Sequence, residues 1–170
     1  MPTIEVDGFL FAFPDGWLAG KYDDWEFYRS RWLKTWPGSK AVDLIAVAPE
    51  RTVWLIEVKD YNHPQTEAPS TLPDIVARKV FDTLAALLPA RVNAADPAER
   101  KLARLSTEAT ELRVVLHLEQ RPPRSRLWPQ SVGPANICQK LRKRLKSIHK
   151  YPLVSAISEP AQVPWRVVRA

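Results

Sequence analysis

Residues 40–60, KAVDLIAVAPERTVWLIEVKD, constrain the fold more than any other stretch. Two runs rich in Val, Ile, Leu and Trp, 41–48 and 52–59, flank Pro49-Glu50-Arg51. This pattern reads as two strands joined by a short turn. Asp43, Glu57 and Lys59 stand among the apolar residues. Side chains alternate faces along a strand, so Glu57 and Lys59 share one face. A three-residue loop over 49–51 pairs Ala48 with Thr52 and sets Asp43 opposite Glu57, with Cβ atoms roughly 4.5–5.5 Å apart. A loop one residue shorter or longer turns Asp43 to the other face. Two carboxylates that close repel each other unless a proton or a cation stands between them.

A hard divalent cation, Mg²⁺ or Mn²⁺, suits such a pair, because Mg²⁺ is commonly held by one or two carboxylates plus water and phosphate oxygens. Lys59, one side-chain step along, would stand beside it and act on a bound water or a phosphate. A bare E-x-K serves as readily on a solvated hairpin face. LIEVK, however, is an apolar strand, and burying Glu and Lys in it requires compensation.

The Asp43 strand, the short hairpin and then Glu57-Val58-Lys59, followed by Asp60-Tyr61, resemble the core hairpin of the PD-(D/E)XK nuclease superfamily. The resemblance implies a restriction-endonuclease-like α/β core, a mixed twisted β-sheet with helices on both faces. It implies Mg²⁺ or Mn²⁺ held by Asp43, Glu57 and the carbonyl of Val58, with Lys59 as a further catalytic residue. It also implies metal-dependent hydrolysis of nucleic-acid phosphodiester bonds, DNA in preference to RNA. Many members add an acidic residue from the first helix. Glu26 is the candidate here, with Asp23 and Asp24 as rivals and a plain helix-capping role as the alternative. A second reading is a nuclease-like fold that no longer cleaves and binds nucleic acid or protein. A third is an assembly role through the aromatic N-terminal helix. The sequence departs from the pattern in one respect: only residues 37–40 separate the first helix from the Asp43 strand. The missing strand comes from the N-terminal segment, or residues 24–34 are themselves extended.

With 170 residues, 45% of them hydrophobic, the chain is expected to form one domain, 1–170, with a substantial core. No apolar run approaches the ~20 residues of a membrane helix, and the N-terminus lacks a basic leader region, so a cytoplasmic protein without membrane contact is expected. A single cysteine, Cys138, excludes an intrachain disulfide and a Cys-based zinc site. A net charge of +6 and a pI near 9.6 favour an anionic partner. A homodimer is left open.

Residues 2–13 read as one strand, or two around Asp7-Gly8. Residues 22–36 place Trp25, Tyr28, Trp32 and Trp36 at helical spacing, with Asp23 and Glu26 as a capping box. His63 lies in the loop just past the hairpin. A helix is expected over 73–88, stopped by Pro89; Lys79 on it reads as a phosphate contact or a solvated residue. Asp96-Pro97-Ala98-Glu99 starts another helix, to about 106. Strands follow at 112–118, 152–157 and 164–169, with His117 read as a sheet-face residue. Arg121, Arg124 and Arg126, with Trp128, lie in a Pro-rich loop and offer a backbone grip and a stacking ring. Residues 135–149 form a basic amphipathic helix. It buries Ile137, Leu141, Leu145 and Ile148 and presents Lys140, Lys143 and Arg144 as the strongest phosphate contacts.

Overall fold

The computed structural model describes residues 1–62, 69–120 and 133–170. In chain order the strands are β1 (Thr3–Val6), β2 (Phe9–Ala12), β3 (Leu18–Lys21), β4 (Leu44–Val47), β5 (Thr52–Asp60), β6 (Glu111–Glu119), β7 (Leu153–Ser155) and β8 (Arg166–Arg169). The α-helices are α1 (Leu33–Thr35), α2 (Leu72–Asn93), α3 (Pro97–Thr107) and α4 (Pro134–Leu145). A tight 3₁₀ turn, Tyr22–Asp24, and a wider π-helical stretch, Phe27–Trp32, lead into α1. Among the described residues no helix is long and apolar enough to cross a membrane.

The central hairpin takes the expected register. The Arg51 N–H donates to the Ala48 carbonyl at 3.0 Å, and the Ala48 N–H donates to the Thr52 carbonyl at 2.9 Å. Arg51 adopts φ +67°, the left-handed pose that closes a three-residue hairpin loop. Leu44 pairs with Ile56 and Val47 with Val53, so the next step places Asp43 beside Glu57. The strand itself begins at Leu44 rather than at Ala41.

The larger sheet runs β3-β4-β5-β6-β7. Its first three strands are antiparallel, and β6 and β7 are added in parallel. The mixed α/β sheet is therefore as expected. The strand before β4 is β3, from the N-terminal segment, while residues 22–24 and 26–35 are helical. β5 is central and nearly all buried, as strands covered on both faces are.

What covers the two faces differs from the expected helices on both. The helices lie on one face, where Val76, Val80 and Leu87 of α2, Leu102 of α3 and Ile137 and Leu141 of α4 pack on Ile45, Leu55, Val114 and Leu116. The other face carries a second sheet, β1-β2-β8. The cause is local. Phe9, Phe11 and Phe13 alternate with smaller residues, a period of two that fits a strand. Asp7 at φ +51° and Gly8 at φ +78° make the two-residue turn that joins β1 to β2. The three phenylalanines pack with Trp17, Trp54 and Trp165.

Three helix boundaries also differ. α2 runs through Pro89 to Asn93. Its last turn is anchored from outside: Arg91 donates to the Thr107 hydroxyl at 3.0 Å, Arg31 donates to the Asn93 carbonyl at 2.7 Å, and Ala90 is fully buried. These contacts outweigh the one backbone donor that proline lacks. α4 ends at Leu145, where the chain turns back on itself and the Ile148 N–H donates to the Leu145 carbonyl at 2.8 Å. The Asp23–Glu26 capping box does not form. The start of the π-helical stretch is capped from α3 instead, by Glu99, which accepts from Glu26 N–H at 2.6 Å and Phe27 N–H at 3.1 Å. Asp96 caps α3 as read from sequence, accepting from Ala98 and Glu99.

Because Glu99 satisfies two helix-start donors from another element, Glu99→Ala is expected to destabilise the protein by roughly 1 kcal/mol. Glu99→Gln, which keeps an acceptor, should lose less. Urea unfolding followed by Trp fluorescence measures both.

Candidate functional site

The docking of α2 on residues 40–43 builds the site. Asp82 accepts from the Lys40 N–H at 2.8 Å, and the Thr83 hydroxyl accepts from the Val42 N–H at 3.1 Å. These two contacts fix the rotation of α2. One helical turn back, on the same face, Lys79 then lies over the hairpin acids. Its Nζ stands 2.5 Å from Glu57 Oε1 and 3.8 Å from Asp43 Oδ1. Lys59 Nζ is 3.6 Å from the same Glu57 oxygen. Asp43 Oδ2 accepts the Val58 N–H at 2.7 Å. Glu57 is 1% exposed, and its Oε2 has no hydrogen-bond partner.

Asp43, Glu57 and Lys59 thus come together as the register demanded, and Val58 joins them through its N–H. Lys79 is partly buried rather than fully solvated, and it pairs with both acids. Of the rival acids, Glu26 is exposed, with its backbone held by Glu99. Asp24 pairs with Arg29 and Lys21. Asp23 is the one that belongs: it is half-buried, its Oδ1 lacks a partner, and it senses the charges of Asp43 and Lys79.

Burial and mutual repulsion hold the acids back from ionising. Glu57 is pushed up to about 8, first by burial and then by the Asp43 charge, with Lys79 and Lys59 opposing. Asp23 is pushed up to about 6 by burial and by Asp43. Asp43 is raised for the same first cause, although Lys79 and the Val58 N–H favour its charge. The short Lys79–Glu57 contact and the raised Glu57 value pull in opposite directions. Burial and the Asp43 charge outweigh the two nearby ammonium groups, Lys79 and Lys59. Chemically, the cluster can take up or release a proton near neutral pH.

A divalent cation would suit two carboxylates, but Lys79 Nζ already stands between them. Among the described residues no group of three or more His, Cys, Asp or Glu stands ready to hold a metal ion. Glu57 Oε1 is taken by Lys79, and Asp43 Oδ2 by the Val58 N–H.

The opposite face of β5 and β6 holds a second polar set. Asp60 and Glu119 are paired in register, and Arg169 of β8 reaches Asp60 at 3.5 Å. His117 Nε2 lies 3.1 Å from Glu119 Oε1 without hydrogen-bond geometry. Burial pushes His117 down to about 4, so the ring is neutral at pH 7 and the contact is not an ion pair. His117 sits edge-on to Phe9 and Phe11, as a sheet-face residue.

Of the expected nucleic-acid contacts, Lys140 and Lys143 are exposed on α4. Arg144 is exposed too, but is bound to Asp74 at 2.6 Å. Arg121, Arg124, Arg126, Trp128 and His63 lie outside the described residues. Sequence reading missed Tyr151, an exposed aromatic directly after this basic run; its signal was the His149-Lys150-Tyr151 sequence itself.

A cysteine–tRNA ligase of Neisseria meningitidis serogroup A / serotype 4A (strain DSM 15465 / Z2491) is 32% identical to this chain over 208 residues. The match takes in 98% of this chain and 30% of the ligase, so the chain spans under a third of that relative's length. No family model matches the chain, and no solved structure matches it. These findings overturn the resemblance to PD-(D/E)XK nucleases, and with it the metal-dependent nuclease and its DNA substrate. The relative belongs to a different enzyme class. The inactive nuclease-like module fares no better. The physical reason lies in Lys79. The hairpin acids needed a compensating cation, and the chain supplies one from its own helix.

Glu57 binds a proton in the folded state up to about pH 8 but only up to 4.5 when unfolded. Its stabilising effect is therefore complete below pH 4.5 and is lost as pH rises through 8. Asp23 and Asp43 shift in the same direction. Melting temperature should fall between pH 5 and pH 8.5, with a shallower fall in Glu57→Gln. Lys79→Met should cost roughly 3–5 kcal/mol at pH 8 and less at pH 5; thermal melts across that range measure both.

Proposed function

We propose that this chain is a tRNA-directed nucleic-acid-binding unit related to part of a cysteine–tRNA ligase. The observation that carries this is the 32% identity running through 98% of the chain. The proposal is one of binding, not of aminoacyl transfer. The chain matches 30% of the ligase. Its five glycines, at positions 8, 16, 20, 38 and 133, are too dispersed for a glycine-rich phosphate loop.

The charge distribution supports the reading. The chain carries +6 overall, and α4 presents Lys140, Arg142 and Lys143 to solvent, with Lys146 exposed just past its end. Ile137, Leu141 and Leu145 are buried on its other side and hold it in place. A rigid helix with exposed cations offers phosphate contacts without base readout. In this reading the Asp43–Glu57–Lys79 network has a supporting role: it fixes α2, against which α4 packs.

The test is fluorescence anisotropy with labelled tRNA and a DNA duplex of matched charge, over a salt series. tRNA is expected to bind more tightly than the duplex. Lys140→Ala/Lys143→Ala/Lys146→Ala should weaken binding and lower the salt slope by about 1 per removed contact. If tRNA fails to bind at low salt, or binds no better than the duplex, the proposal falls.

A further inference from the structure

The segment between α4 and β7 carries an aromatic ring that the fold leaves in solvent. Tyr151 is 53% exposed. Two cations lie over its ring, the Arg142 guanidinium at 5.2 Å and the Lys150 ammonium at 5.2 Å from the centroid. Beside it opens a hollow of about 540 Å³, lined by Thr110, Arg113, Ile148, His149, Lys150 and Tyr151 among others. That volume lies within the range of small-ligand sites.

The electrostatics of the hollow are readable residue by residue. Arg113 is anchored by Glu111 at 2.9 Å and lies over the Trp54 ring at 5.1 Å. Glu111 is the only carboxylate among the hollow's lining residues, and Arg113 offsets it. His149 accepts the Val114 N–H on Nδ1 at 3.0 Å, so the neutral ring carries its proton on Nε2. Burial, and then the Arg113 charge, push His149 below the usual imidazole range, which favours the neutral ring. The hollow therefore offers one fixed N–H donor, one compensated ion pair and the net positive charge of Lys150. Arg142 adds a second cation at the ring.

An exposed ring, flanking cations and a recess for one planar group together make the recognition unit of unpaired nucleotides, with stacking on the aromatic face and ion pairing to the backbone. We propose that the Tyr151 hollow seats an unpaired nucleotide of RNA. Its base stacks on Tyr151, and Lys150 and Arg142 hold its phosphates. A base arriving on the ring exchanges a cation–π contact for a stack and frees the displaced side chain to meet the phosphate. A duplex cannot use the site, because its bases are already stacked and paired. The inference rests on the tRNA-directed reading and narrows it to a single-stranded feature of the RNA.

The experiment uses the full chain with three labelled probes: intact tRNA, a ten-nucleotide oligouridylate and a blunt RNA duplex. Binding of the wild type, Tyr151→Ala and Tyr151→Phe is compared, with melting temperatures to confirm that each folds. Tyr151→Ala is expected to weaken oligouridylate binding by roughly tenfold, the scale of one lost base stack. Tyr151→Phe should bind as the wild type does, and duplex binding should not change. Equal oligouridylate affinity in the wild type and Tyr151→Ala overturns the inference. So does a Tyr151→Phe loss as large as the alanine one, which would assign the effect to the hydroxyl. If tRNA binds and the oligouridylate does not, the hollow is excluded while the tRNA reading survives. If neither binds, both fall.

Discussion

Two buried carboxylates, Glu57 on β5 and Asp43 just before β4, are the constraint around which the larger sheet is arranged. Asp43 and Glu57 cannot share that space as bare charges. The structure compensates them with Lys79, carried in by a helix whose orientation is set by Asp82 and Thr83 gripping the backbone at Lys40 and Val42. The ion network is thus a docking code between α2 and the hairpin. Removing either charge type leaves the other stranded in a medium that solvates it poorly. A buried set of this kind is weak evidence for net stability. Glu57, the most buried member, responds by retaining its proton to higher pH.

Much of this geometry was legible in the sequence. The period-two pattern and a countable three-residue loop gave the register, and the register placed Asp43 beside Glu57 with Lys59 on the same face. The N-cap at Asp96 was legible for the same reason, since its partners are two and three residues away. What failed to show was everything set by distant packing. Lys79 reads as an ordinary helix lysine until α2 has a fixed rotation. Glu99 reads as the third residue of its own capping box, yet it caps a helix 72 and 73 residues earlier in the chain. Asp23 reads no differently from Asp24 until its surroundings are known.

The functional error had the same root. The sequence showed correctly that the hairpin acids require a positive partner, but it did not say where that partner comes from. A metal and a lysine satisfy the same electrostatic demand, and only the packing of α2 separates them. A short acidic–basic motif therefore reports an electrostatic need more reliably than it reports a reaction. The basic face of α4 is a different kind of signal, since its exposed side chains depend on helix periodicity and on little else.

The smaller sheet has a consequence for the order in which the chain can assemble. β2 takes β1 as one neighbour almost at once, but its other neighbour, β8, pairs Arg169 with Phe9 across nearly the whole chain. The β1-β2 hairpin is made well before β8, so one edge of β2 stays open until residues 166–169 are added. Until then Phe9 and Phe11 depend on docking to the growing central sheet, so closure of the β1-β2-β8 layer is a late event. A chain stalled before residue 166 would lack β8 and leave that edge of β2 unpaired.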